Sequence, residues 1–468
     1  MLRPPAPSHR LGRPRRAGRR APGWLLLLPL LVLPAGCAPS TSPPAQHSGG
    51  SRRITVWTLD LAPRFSPYMT GVIRAWEQRH PGVTVRWIDV PWSSVERKLL
   101  AAVFARTAPD LVNLNPPFAA NLASKGGLLD LGSVLPAGAS AAYLPRIWEA
   151  GRQGDRQFAI PWYLTSRVTL ANRRLLQQAG YGAPPRRWQE VPAYAEAVKR
   201  RTGRYALFVT VVPEDSAELL ESMVQMGVQL LDGRQRAAFN SPEGRRAFAF
   251  WTDLYRRGLL PREVVSQGYR RAVELFQAGD LVQVASGPDF LRNLQTNAPG
   301  IAADTAAYPP LTGPGGETNV AVMNLVVPRR SAMAAEATSF ALFLSNEANQ
   351  LAFAREARVL PSSRGALRRL ESELAASPPP PSASPAPAAG SRSPSAAAQD
   401  ALVREARLLS LRSLEQGRVL VPATPGVKRL QAILYTQLQR AMLGQISSEA
   451  ALAEAERQWN RYAEARWP

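Results

Sequence analysis

Apolar runs of strand length alternate with amphipathic stretches of helical length along the first part of the chain. The pattern predicts strands at 54–57, 83–88 and 110–114 and helices at 68–79 and 94–106. The turn-forming segments His80-Pro81-Gly82 and Thr107-Ala108-Pro109 end the two helices. Strands that alternate with helices at this spacing indicate βαβ units, and therefore a parallel sheet covered by helices on both faces.

The same alternation continues to the end of the chain. It predicts strands at 157–163, 170–172, 281–285 and 320–327 and helices at 191–201, 217–230, 242–258, 272–278, 333–344, 347–356, 427–443 and 448–462. The helix at 242–258 has a clear start signal, since Ser241 suits the N-cap and Pro242 the first helical position. The segment 377–399 is low in complexity and rich in Pro, Ala and Ser. Such a composition cannot bury a core, so we expect a disordered insertion there.

The N-terminus predicts export. Residues 1–20 are basic, residues 24–33 are an apolar run too short to span a bilayer, and small residues follow before Cys37. We therefore interpret 1–36 as a signal peptide. Cys37 is the only cysteine, and the Ala-Gly-Cys sequence resembles a bacterial lipobox, in which the cysteine is lipidated. The alternative is a plain signal peptide with an incidental cysteine. Residues 37–51 would form a lipid-anchored tether, which predicts a periplasmic or extracytoplasmic, membrane-anchored protein.

The formal net charge of +22 raises the question of nucleic-acid binding. Seven of the positive charges belong to arginines within residues 1–36, which contain no acidic residue. The others are scattered along helix-like segments, as in Arg200-Arg201 and Arg270-Arg271. Diffuse charge of this kind is typical of a solvated surface, and no basic-aromatic stripe or zinc-ligand spacing accompanies it. We expect no nucleic-acid partner.

Several segments, taken in order, resemble one known family. They are ITVWTLD, AWEQRHPGVTVRW, KLLAAVFARTAPDLVNLNP, FAIPWYLTSRVTLANRRLLQQAG, PPRRWQE, FNSPEGRRAFAFWTDL, ELFQAGDLVQVASGPDF and SFALFLSNEANQLAFA. Their order and spacing are similar to those of the family 1 extracellular solute-binding proteins, the maltose-binding-protein-like group. The resemblance covers roughly residues 52–370 and 415–465.

The resemblance implies an α/β, two-lobed, periplasmic-binding-protein-like (type II) fold with hinge strands and an interlobe cleft. Residues 52–160 plus 280–327 would form lobe 1, and residues 161–279 plus 328–468 would form lobe 2, so that the chain crosses near Pro161, Gly279 and Val327. The implied ligand is a small-molecule sugar or polyol, and the implied partners are the permease subunits of an ABC transporter. A monomer with no cofactor and no metal is expected.

Sugars need aromatic platforms and side chains that bond hydroxyl groups. Four candidates lie at the ends of the predicted first and third strands, namely Trp57, Asp60, Asn113 and Asn115. The alternative for Asp60 is that it caps the following helix, and the alternative for the two asparagines is that they form turns.

The remaining candidates lie near the predicted lobe crossings. They are Trp162, Tyr163, Ser286, Asp289 and Asn324. Because adjacent strand residues face opposite sides, one of the two aromatics at 162–163 is expected in the core. Arg167 is a further cation nearby, suited either to an anionic ligand or to a salt bridge.

Two other function classes compete with solute binding. A secreted glycosidase needs paired carboxylates, and Asp60, Glu149, Asp155 and Asp289 are available, but no local pattern marks a pair. The histidines are His9, His47 and His80, of which only the last lies beyond the signal and the tether. The chain has no G-x-S-x-G elbow or phosphate loop, which argues against an enzyme. The third class is a structural lipoprotein with a filled cleft.

Overall fold

A computed structural model of the chain describes residues 52–213, 215–376, 396–421 and 423–466. The predicted signal peptide, Cys37 and the tether lie outside these residues, as does 377–395 of the predicted insertion. The last four residues of that insertion, 396–399, are helical instead of disordered. They open a helix whose later turns carry Val403 and Ala406 into a hydrophobic core, and this packing stabilises the whole helix.

The strands, as far as the chain is described, have the following bounds. They are β1 Arg52–Leu59, β2 Val83–Val90, β3 Leu111–Leu114, β4 Arg152–Gln153, β5 Arg156–Gln157, β6 Ile160–Ser166, β7 Val168–Asn172, β8 Gln283–Ser286, β9 Thr305–Tyr308, β10 Thr318–Val326, β11 Leu360–Pro361 and β12 Gly417–Arg418.

The helices of the same residues begin and end as follows. They are α1 Ser66–Glu77, α2 Val95–Phe104, α3 Pro116–Ser124, α4 Pro145–Glu149, α5 Arg173–Gln178, α6 Val191–Thr202, α7 Glu218–Gln225, α8 Pro242–Arg256, α9 Tyr269–Gln277, α10 Phe290–Asn297, α11 Pro299–Asp304, α12 Ala334–Leu344, α13 Glu347–Ala357, α14 Arg364–Ala376, α15 Ala396–Arg412, α16 Val427–Met442 and α17 Ser448–Arg466.

The larger sheet has the strand order β11-β6-β10-β3-β1-β2, with β12 paired to β10. As predicted, β1, β2 and β3 are parallel, so their carboxyl ends meet at one edge. We call this the carboxyl edge. β10 and β6 run antiparallel to them. Alternate residues of β1 fill cores on opposite faces, since Ile54 and Val56 belong to one cluster and Leu59 to another. We call the sheet and its packed helices the large-sheet lobe.

A second, three-stranded antiparallel sheet has the order β8-β7-β9. A separate and larger hydrophobic cluster packs on it, with contributions from α6, α8, α16 and α17. Ser241 caps α8 as predicted, because its Oγ accepts the Gly244 N–H at 3.2 Å. We call this part of the chain the small-sheet lobe.

The segments are divided between the lobes differently from the predicted division. β6 belongs to the large sheet, where the Trp162 and Leu164 side chains complete its cores. The first crossing is therefore at Arg167 instead of Pro161. β8 and β9 belong to the small sheet, although their segment was predicted in lobe 1. Helices α12 and α13 pack on the large sheet through Phe340 and Phe353, although lobe 2 was predicted for them.

Besides the passage from α15, which packs in the small-sheet core, to β12 on the large sheet, three described connections join the lobes. The first is Arg167, a single residue between β6 and β7. The second is the approach to β10 at Glu317, and the third runs from β12 toward α16 at Arg418–Leu420. In the part of the chain that the structure describes, none of the helices combines the length and hydrophobicity needed to cross a bilayer.

Candidate functional site

A groove of about 1450 Å³ runs between the two lobes. The large-sheet lobe contributes the end of α3, the loop that follows it and the segment 145–158, whereas the small-sheet lobe contributes Gln235. The connections contribute Glu317, Arg418 and the segment 423–425. The groove therefore meets both lobes and two of the connections between them. A cavity between lobes is where α/β proteins commonly bind small molecules, and this one exceeds the usual range of about 300–1,000 Å³.

The lining combines charged pairs with apolar surface. The Arg418 guanidinium contacts the Glu317 carboxylate at 2.5 Å, and Arg152 pairs with Glu149 at 3.1 Å. Leu128 and Phe158 supply apolar contacts between these charges. Fixed donors and acceptors beside apolar faces match the hydroxyl groups and C–H faces of a sugar.

An adjoining recess of about 600 Å³ shares Gln235, Glu317, Arg418 and Thr424 with the groove. At this junction, the Arg418 Nε and the Gln235 Oε1 are buried without a hydrogen-bond partner among the described residues. Gln235 also has a φ of +60°, which a non-glycine residue rarely adopts and which is frequent at ligand-binding positions. A donor and an acceptor without partners thus lie where the groove meets the recess, and a solute can bond them only after a conformational change exposes them.

The carboxyl edge carries a shaped loop after β1. Asp60 has a φ of +49°, and its carboxylate accepts the backbone N–H of Trp92 at 2.8 Å. The Asp89 carboxylate accepts the backbone N–H groups of Leu61 at 3.1 Å and Ala62 at 3.0 Å, and the Thr58 hydroxyl at 2.8 Å. These bonds hold the two loops together and leave the Trp92 indole 42% exposed.

Two ion pairs bridge the lobes. Lys428, on α16, contacts Glu96, on α2, at 2.7 Å. Arg358, at the end of α13, contacts Asp289, which precedes α10, at 3.5 Å. Each pair is partly exposed to solvent, so each is worth little by itself. Together they connect the lobes at two separate pairs of helices.

The strands beside the first two connections, β6 and β10, present small side chains to solvent. Thr165 on β6 pairs with Ala321 on β10, and both are exposed. Their neighbours Leu164 and Val320 are buried in the core under α13 and α14. Because side chains alternate along a strand, Thr165 and Ala321 point away from that core. They leave an uncovered strip between the lobes.

A charged cluster lies buried where the first two connections meet the small-sheet lobe. The Arg167 guanidinium contacts Glu221 at 2.5 Å and Glu218 at 3.4 Å. Burial raises the pKa of Glu218 to about 7, and the Arg167 charge opposes this rise only in part. Burial also raises the pKa of Glu221. Of the two roles predicted for Arg167, the structure shows the salt bridge.

None of the nine predicted ligand-binding residues lines the groove or the adjoining recess. Trp162 is fully buried, and its ring stacks on Phe353 with the centroids 5.1 Å apart. Tyr163 is half-buried, and burial together with the Asp89 charge raises the pKa of its phenol. The expectation that one aromatic of the pair lies in the core agrees with this placement.

The two asparagines predicted on the central strands are also buried. Asn113 and Asn324 are 0% and 1% exposed, and the Asn113 Nδ2 donates to the Asn324 carbonyl at 3.1 Å. Asn115 caps α3, because its Oδ1 accepts the Phe118 N–H at 3.0 Å. In this conformation, therefore, Asn113 and Asn324 offer a solute no surface, and a ligand role for the three asparagines stays a prediction.

The other predicted residues occupy separate places. Trp57 is half-buried at the end of β1, and its indole N–H has no partner among the described residues. Ser286 ends β8 and is 7% exposed. Asp289 is engaged by Arg358 in the interlobe ion pair. Asp60 is exposed and bound to Trp92, so it lies beside a candidate aromatic platform.

Sequence reasoning missed Trp92, Gln235 and Arg418. Trp92 lies four positions after the predicted strand at 83–88 and two after the observed end of β2, so the choice of candidates near strand ends would have found it with a slightly wider window. Gln235 lies in an irregular segment and Arg418 on the two-residue strand β12, 183 positions away, and no local pattern connects them. Their meeting depends on the pairing of β12 with β10.

Comparison with known proteins gives a consistent result. Residues 61–351 match the family model described as bacterial extracellular solute-binding protein. A solved structure from Synechococcus sp. MITs9220, provisionally named an oligosaccharide periplasmic-binding protein, is 64% identical with a TM-score of 0.80; the match covers 89% of this chain and 100% of that one.

Two curated relatives match over shorter stretches. A protein of Deinococcus radiodurans, provisionally named an ABC transporter-binding protein, is 24% identical over 200 residues, which are 41% of this chain and 47% of the relative. An uncharacterized lipoprotein of Streptomyces antibioticus is 30% identical over 184 residues, which are 38% of this chain and 39% of the relative.

Proposed function

Because the chain belongs to the bacterial extracellular solute-binding proteins, we propose that it captures an oligosaccharide or a related polyhydroxylated solute in the groove between its lobes. The chain is the solute-binding component of an ABC transporter, and the two-lobed fold with hinge strands is the architecture of that role. What we propose is the class of the ligand, and the groove between the lobes is the observation that supports it.

The groove's size and lining support a sugar-like solute. Its volume of about 1450 Å³ suits a ligand of several rings better than a single small ion. The Arg418 Nε and Gln235 Oε1 are buried without a partner, and a closing motion that exposes them would offer one donor and one acceptor to the hydroxyl groups of a solute. Because an unsatisfied buried polar group costs about 1–3 kcal/mol, a solute that bonds both atoms gains affinity there. The name of the Synechococcus relative points to the same ligand class.

The solute would be held by closure of the lobes about the three connections, the hinge motion of periplasmic binding proteins. The Lys428–Glu96 and Arg358–Asp289 pairs favour the arrangement in which the lobes are close. Permease subunits would then receive the closed, loaded form. We further propose that the chain acts as a monomer and that the nine residues predicted from the sequence include contacts made on closure.

We also propose a lipid anchor at Cys37, with 37–51 as its tether. The lipobox-like sequence supports it, and so does the lipoprotein designation of the Streptomyces relative. Membership of an extracellular family places the folded part outside the cytoplasm. Palmitate labelling in cells, with Cys37→Ala as the control, tests the anchor; equal labelling of both proteins would contradict it.

The ligand is tested by differential scanning fluorimetry of the mature chain against mono-, di- and oligosaccharides, polyols and glycerol phosphodiesters, followed by titration calorimetry. A bound solute at free concentration L stabilises the folded chain by RT ln(1 + L/Kd), so the melting temperature rises with the logarithm of the solute concentration once this exceeds Kd. Mass spectrometry of the same mixtures checks for turnover. Stabilisation without product supports binding, whereas product formation would support the glycosidase alternative, and the absence of any stabilising solute would contradict the proposal.

Arg418→Lys locates the ligand within the groove. The variant keeps a positive charge beside Glu317 but removes the Nε–H donor. We expect about a tenfold loss of affinity, the scale of one hydrogen bond to a charged group. Arg355→Lys is the control, since Arg355 pairs with Glu373 outside the groove lining. Equal affinity of Arg418→Lys and the parent chain would place the solute elsewhere.

A further inference from the structure

The Glu221 carboxylate of the small-sheet lobe bonds to residues at the first two connections, and the third connection is linked to it through Asn319. One Glu221 oxygen accepts an N–H of Arg167, the first connection, at 2.5 Å. The other oxygen accepts the side-chain amide of Asn319, on β10 two residues after Glu317 of the second connection, at 2.7 Å. The Asn319 Oδ1 in turn accepts the backbone N–H of Leu420, in the third connection, at 3.1 Å.

We infer that Glu221 is a positioning residue for solute capture, which fixes the three connections relative to one another and so sets the path along which the lobes close. This inference rests on the proposed function, because it assigns Glu221 a part in closing the same groove. Glu221 itself lines neither the groove nor the adjoining recess. Its effect on the solute is therefore indirect and passes through Arg167 and Asn319.

The bonding capacity of the side chain supports this role. A carboxylate has two acceptor oxygens, and each Glu221 oxygen serves a different connection. Glu221 is only 9% exposed, so water competes weakly for these bonds. A glutamine has the same shape but a single acceptor oxygen, and because that oxygen is expected to stay with the charged Arg167, its NH₂ group would face the Asn319 amide. Glu221→Gln therefore breaks one of the two links without leaving a cavity.

Glu218 provides a matched comparison on the same helix. It is three residues away, it contacts the same Arg167, and its side chain is 14% exposed against 12% for Glu221. In the part of the chain that the structure describes, no hydrogen bond or ion pair joins Glu218 to Asn319 or Leu420. Removing its charge perturbs the same buried cluster while leaving the second and third connections linked.

Hydrogen exchange on the solute-free, mature chain tests the inference. In Glu221→Gln, the amides at 318–320 and the Leu420 amide are expected to exchange up to about tenfold faster, since the Asn319 side chain that restrains this segment and accepts the Leu420 N–H loses its bond to Glu221. In Glu218→Gln, these amides are expected to exchange at the parent rate. Equal acceleration in both variants, or none in Glu221→Gln, would overturn the inference.

A second variant keeps the test decisive if Glu221→Gln does not fold. Asn319→Ala removes the relay but leaves the Arg167–Glu221 pair, so faster exchange is expected at Leu420 and not at the first connection. Solute dissociation, measured by stopped-flow fluorescence, is expected to be faster in Glu221→Gln than in Glu218→Gln. Because the exchange experiment contains no solute, it stands even if no sugar binds, which separates failure of this inference from failure of the proposed function.

Discussion

The carboxylate of Asp60 accepts the backbone N–H of Trp92 at 2.8 Å, which ties the loop after β1 to the loop after β2. Asp60 does this from a φ of +49°, a conformation that aspartate and asparagine tolerate better than most residues. The candidate acceptor for sugar hydroxyl groups and the candidate aromatic platform are thus coupled. Sequence reasoning proposed the first and missed the second.

Asp60→Ala is expected to weaken solute affinity by about 1–3 kcal/mol, because it frees the Trp92 loop and removes a polar contact at the carboxyl edge. Asp60→Asn retains both the acceptor oxygen and the tolerance of positive φ, so it is expected to stay within about 1 kcal/mol of the parent. Titration calorimetry of both variants distinguishes them. Identical isotherms for Asp60→Ala and the parent would show that this edge does not contribute to binding.

Trp92→Ala is expected to lower solute affinity by about 1 kcal/mol, the scale of an aromatic stacking contact, with little change in stability. Phe104→Ala is the control, since Phe104 is an even more exposed aromatic, 86% against 42%, at the far end of α2. Calorimetry and thermal melts report the two quantities separately. If the two variants lost affinity equally, a specific platform at Trp92 would be excluded.

Trp162→Ala is expected to lower the stability of the fold more than it lowers the affinity for the solute. The ring is fully buried and stacked on Phe353, and truncation of such an aromatic typically costs about 3–5 kcal/mol. Guanidinium denaturation at several solute concentrations separates the loss of stability from a loss of affinity. If the variant kept the denaturation midpoint of the parent but no longer bound the solute, Trp162 would instead be a solute contact.

Glu218 is expected to make stability fall as the pH rises. Its pKa is near 4.5 in the unfolded chain and about 7 in the folded one, so the folded state binds more protons between these values. The stabilising protonated form is fully present below about pH 4.5 and is lost as the pH passes 7. Glu218→Gln is expected to be more stable than the parent at pH 8, by on the order of 2 kcal/mol.

Urea denaturation of the parent and Glu218→Gln at pH 5 and pH 8 measures this difference. Glu243→Gln is the control, because Glu243 is exposed to solvent at the start of α8 and remote from the cluster. The parent and Glu218→Gln should differ more at pH 8 than at pH 5. The reverse order would mean that the Arg167 charge, and not burial, determines the ionisation of Glu218.

The first part of the fold was predictable because its information is local. In β1 and β2 the apolar residues alternate or run together as strands require, and His80-Pro81-Gly82 ends the helix between them within about two residues of its observed end. Neither α14 nor α15 was predicted, because both flank a segment whose Pro and Ser content indicates disorder. α15 is stabilised by tertiary contacts of Val403 and Ala406, which composition does not report.

The lobe boundaries were harder to predict for a physical reason. β6 and β7 are consecutive strands of similar composition, and nothing in their residues says that Ser166 pairs within one sheet and Val168 within another. The groove is harder still, since Glu317 and Arg418 meet only after β12 joins β10. Both features depend on the pairing of strands that are distant in the sequence, and the pattern of residues in a single sequence does not reveal that pairing.

The passage from β6 to β7 through Arg167 alone limits how one lobe can travel against the other. A rotation fits this joint, since a few backbone torsions around one residue can absorb it. A lateral slide does not, because both flanking residues are already fixed by ladders in different sheets. We therefore expect the lobes to close by rotation about this joint, so that the permease subunits meet lobes whose tilt changes more than their separation at Arg167.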